Sequence, residues 1–112
     1  MRKVTQSGFD VHLQKLLAKN PSLAKEYAKQ FAGLPLPTQL AIMRRRRWLS
    51  QKAVAMKLKA KQPHVARMEN AGHDPRLSSI LSHAKALHCH LMIVPDELLS
   101  QVAQIMAAGQ RA

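Results

Sequence analysis

From Trp48 to Pro75 the chain reads WLSQKAVAMKLKAKQPHVARMENAGHDP. This stretch limits the fold more than any other. Its apolar residues fall at helical spacing, but in two short bursts: Val54, Ala55 and Leu58, then Val65 and Met68. Ser50 offers a helix cap, and the spacing predicts a helix over Gln51 to Leu58. A tight turn follows. A second helix is predicted from Pro63 to Glu69, closed by Asn70, Ala71 and Gly72. Proline disfavours helical backbone in the residue before it, so Gln62 is expected as the N-cap and Pro63 as the first helical residue.

The flanks read as helices that support this pair. Met1 to Gly8 is polar and is expected to fray. Phe9, Leu13, Leu16 and Leu17 predict a helix from about Asp10 to Lys19. Asn20-Pro21 is a cap followed by a proline at the first helical position. The helix it opens, Ser22 to Phe31, is expected to bury Leu23, Tyr27, Phe31 and Ala24. The run from Gly33 to Pro37 reads as a hinge. Thr38 is expected to cap a helix reaching about Arg47, with Leu40 and Met43 facing inward. Asp74-Pro75 repeats the cap-then-proline start, for a helix to about Leu87 with Leu77, Ile80, Leu81, Ala84 and Leu87 on one stripe. Pro95, Asp96 and Glu97 open a last helix that carries Leu98, Leu99, Val102, Ile105 and Met106. The methionines at 43, 56, 68, 92 and 106 read as core. His90 to Val94 (HLMIV) is β-prone. A single strand has no partner in a helical chain, so this segment either is not a strand or pairs with its copy in a second subunit. The second alternative is preferred.

Charge narrows the function. The 112 residues hold 18 Lys and Arg against 6 Asp and Glu, a net +12. Such a field attracts polyanions, meaning nucleic acid or an anionic membrane. No apolar run approaches the roughly 20 residues of a membrane-spanning helix. The final amphipathic helix has a polar face of Asp96, Glu97, Ser100, Gln101 and Gln104, without the Lys and Arg of a membrane-surface helix. The N-terminus MRKVTQSG lacks the apolar segment of a signal peptide, and Cys89 is alone, so the expected location is a reducing cytoplasm. Between Arg44 and Arg76 lie ten basic residues and two acids, Glu69 and Asp74, so this window carries +8 of the +12. The field is focused on the two-helix stretch.

Ala55 is small enough to let the two helices cross closely, and Val65 and Met68 can fix the angle of the second. The other face of that helix carries Gln62, His64 and Arg67, with Lys61 just before it. Gln can pair with adenine and Arg with guanine through two hydrogen bonds, each pair discriminating by roughly 1–3 kcal/mol. Gln62, His64 and Arg67 are therefore the expected base contacts.

The spaced elements SQ-x3-A-x2-L, Q-x2-V-x-R-M-E, DP-x-L and A-x-AL resemble the lambda-repressor-like (Xre-type) DNA-binding domain, over about Leu40 to Val94. The resemblance implies an all-α helical bundle with a helix-turn-helix. It also implies that Arg44, seven residues before Gln51, pairs with Glu69, that Gln51 grips phosphate, and that Gln62, Pro63 and Arg67 face the major groove. Lys52, Lys61 and His73 complete the expected phosphate contacts. Two positions depart from the pattern. Lys59 stands at the turn position that is usually Gly, and Lys61 replaces the usual Ser or Thr cap. A positive φ at Lys59 would cost on the order of 1 kcal/mol. NPSLAKEYAKQF ahead of such a domain resembles HigA-type antitoxins, which pair with ribosome-dependent mRNA-cleaving toxins.

The expected organisation is a helical arm over residues 1–36, a DNA-binding domain over 37–90, and a short strand with a C-terminal helix over 91–112 for dimerisation. The expected function is a sequence-specific double-stranded DNA-binding repressor, dimeric, and in its narrower form the antitoxin of a toxin partner. The alternative is a nonspecific basic nucleic-acid-binding protein. Arg45, Arg46, Arg47, Lys57 and Lys59 are read as general electrostatics. His83, His88, Cys89 and His90 fit no common structural zinc spacing, and no third residue orients a Cys–His pair for catalysis. No enzyme activity, cofactor or metal is expected.

Overall fold

The computed structural model describes residues 8–108; Met1 to Ser7, and with them most of the expected fray, lie outside the described residues. Seven α-helices and one 3₁₀ turn make up the regular structure, with no strand among the described residues. They divide into two compact units. One spans residues 34–92, and the other joins the described parts of residues 1–33 and 93–112.

The 34–92 unit holds α3 (Leu36–Arg46), α4 (Gln51–Leu58), α5 (Gln62–Met68) and α6 (Leu77–Ala86). Helix α4 has the expected bounds. Ser50 Oγ accepts from the Ala53 N–H at 3.0 Å, satisfying one donor of the open first turn. Leu49, just before the cap, packs on the core that contains Val54, as a hydrophobic staple does. Leu40, Val54, Ala55, Val65, Met68, Ile80, Ala84 and Leu87 form that core, and full burial of each large aliphatic contributes roughly 1.5–3 kcal/mol.

Several expected boundaries move. Helix α3 starts at Leu36 with Pro35 as its cap, not at Thr38; extended Pro35 already presents its carbonyl, which accepts from the Gln39 N–H at 3.1 Å. Helix α5 starts at Gln62, so Lys61 and not Gln62 is the N-cap. Lys61 is extended and its carbonyl accepts from His64 N–H at 3.0 Å. Proline is tolerated throughout a first turn, so its bias against a helical neighbour is overcome. Asp74 caps nothing: Arg76 is still extended, and α6 begins two residues later than the Asp-Pro pair suggested. The buried stripe of α6 is Ile80, His83, Ala84 and Leu87, while Leu77 and Leu81 are exposed. Met56 and Met92 are exposed too, so only some of the methionines are core.

Three helices of this unit end alike. In α3, Trp48 N–H donates to Arg45 O and Leu49 N–H to Arg44 O; in α4, Lys59 donates to Met56 and Ala60 to Ala55; in α6, His88 donates to Lys85 and Cys89 to Ala84. These are Schellman closures, whose turning residue is left-handed and usually glycine. Here it is Trp48 (φ 58°), Lys59 (φ 53°) and His88 (φ 57°). A side chain in that region costs on the order of 1 kcal/mol. Lys59→Gly is therefore expected to stabilise the fold by about 0.5–1 kcal/mol, the strain relief less the added freedom of the unfolded chain. Urea unfolding of the variant measures this, and a destabilised variant would count against the strain.

The other unit holds α1 (Gly8–Lys19), α2 (Pro21–Ala32), the 3₁₀ turn Asp96–Leu98 and α7 (Leu99–Ala108). Asn20 caps α2 as expected, its Oδ1 accepting from Leu23 N–H at 3.2 Å. The core differs from expectation. Leu17, Ala24, Ala28, Leu99 and Ala103 are buried, with Leu13, Tyr27 and Val94 against them. Leu16, Leu23, Leu98 and Ile105 are exposed; the Phe9 side chain lies outside the described residues. Helix α7 packs on α1 and α2, and the alanines at the contact let the backbones approach closely. The segments expected as an arm and as a dimerisation tail are thus one unit. Residues 90–94 form no strand within the chain, and Leu91, Met92 and Ile93 are exposed.

Candidate nucleic-acid interface

Helix α5 is only seven residues long, and its two faces are distinct. Val65 and Met68 are buried, which anchors one face. Lys61, Gln62, His64 and Arg67 all lie in solvent. The three expected base contacts are thus all exposed on one short helix. Of the expected phosphate contacts, Lys52 and Lys61 are exposed, while Gln51 and His73 are half-buried. His73 follows a local turn, in which Asn70 Oδ1 accepts from Gly72 N–H at 2.8 Å and Asn70 O accepts from His73 N–H at 2.9 Å.

A polar ladder holds this surface from behind. Arg44 Nε donates to Glu69 Oε2 at 2.6 Å and Arg44 Nη2 donates to Glu69 Oε1 at 3.0 Å. The geometry is bidentate, the strongest form of this pair. The two side chains are only 11% and 5% exposed, which makes Arg44 a strut inside the fold. Its Nη1 also donates to Leu49 O at 2.8 Å, tying the end of α3 to the entry of α4. Gln51 Nε2 donates to Glu69 Oε1 at 3.2 Å, and Gln51 Oε1 accepts from Gln62 Nε2 at 3.4 Å. The chain of bonds therefore runs from α3 through the end of α5 to the start of α4 and back to the start of α5. Sequence reasoning reached its first link, through the family resemblance. It missed Gln51–Glu69 and Gln51–Gln62, which give the exposed Gln62 amide a defined orientation.

His83 was also missed as part of this site. It is 1% exposed, on the α6 face turned to the core, and neither ring nitrogen has a hydrogen-bond partner among the described residues. Burial pushes its pKa below the ordinary histidine value; the Glu69 charge opposes the shift, and His64 and Arg44 add to it. The signal was present in the sequence, since His83 stands three residues after Ile80 and four before Leu87.

At the C-terminal end of α6, Arg47 Nη2 donates to His88 O at 3.4 Å and Lys57 Nζ donates to Ala86 O at 3.4 Å. Cations at a helix C-terminus are favourable, so these two basic residues are partly structural. Among the described residues, no three His, Cys, Asp or Glu side chains gather where one metal ion could be held, and no helix is long and apolar enough to cross a membrane. No family model matches the chain, and neither a curated protein nor a solved structure matches it.

Proposed function

We propose that the chain is a sequence-specific double-stranded DNA-binding transcriptional regulator, a repressor, in which α4, the turn at Lys59–Lys61 and α5 act as a helix-turn-helix of the lambda-repressor-like kind. One observation carries this reading. Helix α5 is fixed by buried Val65 and Met68 while Gln62, His64 and Arg67 stand in solvent, within a stretch where ten basic residues face two acids. In this reading α5 enters the major groove, and Lys52, Lys61, His73 and the α4 entry at Gln51 meet phosphates. The exposed apolar segment Leu91–Ile93 supports a twofold dimer through pairing with a second copy, and the separate α1–α2–α7 unit gives a toxin partner a place of its own.

The test is a gel shift on DNA from upstream of the chain's own gene, with random duplex as competitor. Arg67→Ala and Gln62→Ala are each expected to lose about 1–3 kcal/mol of discrimination at one base position. Affinity should also fall steeply with salt, by a log–log slope of about 0.9 per phosphate met. If both variants bind every sequence as the unaltered chain does, α5 does not read bases. Strong binding without any preference over random duplex would favour the nonspecific alternative.

A further inference from the structure

Of the three left-handed residues in the 34–92 unit, two have evident work. His88 offers its carbonyl to Arg47 and lies 3.5 Å from Lys57 Nζ through its ring. Lys59 adds a charge in the turn between α4 and α5. Trp48 does neither. Its indole makes no hydrogen bond among the described residues and the residue is 71% exposed, so packing repays little of the backbone strain. A large exposed aromatic in a strained conformation, where glycine would fit better, points to a contact outside the chain.

The surroundings specify that contact. Arg45 and Arg47 beside it and Lys52 after it are exposed, and the acid nearest to it in sequence, Glu69, is buried against Arg44. Arg, Lys and the indole N–H all donate hydrogen bonds and cannot accept them. Their complement is a surface that only accepts hydrogen bonds, is negatively charged, and has an apolar face for the ring. A DNA backbone has these properties, with phosphate oxygens alternating with deoxyribose. Trp48 stands three residues before Gln51, within roughly 10 Å of it along the chain.

We propose that Trp48 is a backbone contact to duplex DNA: its ring lies on deoxyribose and its indole N–H donates to a phosphate oxygen, between the phosphate contacts of Arg45 and Arg47. This rests on the DNA-binding reading above. A backbone contact positions without reading sequence, so its effect is the same on every duplex.

The chain has a single tryptophan, so its fluorescence reports this turn alone. With the full chain and a duplex it retards in gel shifts, quenching of Trp48 by acrylamide should fall at least about twofold on binding, the ring being covered on one face. Trp48→Gly should raise the melting temperature, because glycine suits the left-handed turn. The same variant should weaken binding about tenfold on specific and random duplex alike, the scale of one lost contact. Its salt slope should be unchanged, since no cation is lost, whereas Arg45→Ala should lower the slope by about 0.9. Trp48→Phe, which keeps a ring and drops the donor, should fall between. A Trp48→Gly chain that binds as tightly as the unaltered one, or acrylamide access that DNA does not change, overturns the proposal while leaving the DNA-binding reading intact. An unaltered chain that retards no duplex at all overturns both.

Discussion

Glu69→Ala is expected to cost about 3–5 kcal/mol of stability, because it strands the Arg44 guanidinium in the fold without its partner. The pair is bidentate and both side chains are nearly out of solvent, so the loss is far above that of a surface salt bridge, which is worth at most about 1 kcal/mol. Gln51 loses its acceptor at the same time. A domain of this size has a total stability of roughly 5–15 kcal/mol, so the variant should be marginal at room temperature. Glu69→Gln keeps the shape and one acceptor, and should lose less. The double change Arg44→Met with Glu69→Met removes both charges, and should be more stable than Glu69→Ala, since an apolar pair of similar volume replaces a buried ion pair at little cost. Urea unfolding followed by far-UV circular dichroism gives the free energies, and the single changes Arg44→Met and Glu69→Met complete a cycle that gives the coupling. Amide exchange should place the loss in α4 and α5, leaving the α1–α2–α7 unit protected. A loss below 1 kcal/mol for Glu69→Ala would mean that the pair is solvated and that α5 is held by Val65 and Met68 alone.

The elements that the sequence revealed are those governed by local chemistry. Ser50 before Gln51 placed α4 to the residue, because a side-chain cap and a spaced apolar pattern agree there. Asn20 marked the start of α2 within one residue. Where the end of a helix is set by backbone alone, only the run of apolar spacing marked it. The left-handed closures at Trp48 and His88 carry no glycine, so the usual marker of a helix C-terminus is missing. The caps Pro35, Lys61 and Arg76 offer no side-chain oxygen to the first turn. Burial was harder still. In α6 the apolar letters favour a stripe through Leu77 and Leu81, but the fold turns the helix so that His83 goes in and those leucines go out. In α2 the bulky Leu23 and Phe31 were expected inside along with Ala24; Ala24 is buried, but its buried partner is Ala28, because α7 comes close. That packing joins segments about 70 residues apart, and no local pattern announces it. The candidate interface was more legible than the core beneath it: Gln62, His64 and Arg67 stand exposed on α5 as the face assignment expected, whereas the ladder through Gln51 depends on how α4 and α5 meet.

His83→Leu is expected to stabilise the chain at neutral pH by about 1–3 kcal/mol and to flatten its loss of stability in acid. The first effect follows from the two ring nitrogens, buried and without partners among the described residues, each of which forfeits its hydrogen bond to water on folding. The second follows from linkage. Burial holds the folded pKa below the ordinary value, against the pull of Glu69 and with the push of His64 and Arg44. The unfolded chain takes up this proton near the ordinary value of about 6.5. Between that value and the lower folded pKa, the unfolded state binds more protons, so stability falls as pH falls. The contribution is whole above about 6.5, declines through the interval, and levels off below the folded pKa. Glu69 cannot simply absorb the new charge, because its oxygens already accept from Arg44 and Gln51. Protonating His83 therefore sets a second cation against the strut that holds α5, and acid should loosen the interface along with the core. Urea midpoints at pH 7.5, 6.5 and 5.5 for both chains measure the difference, the other histidines cancelling in the comparison. Parallel profiles for the two chains would show that His83 reaches solvent in the folded state, so that its burial has no part in the acid loss.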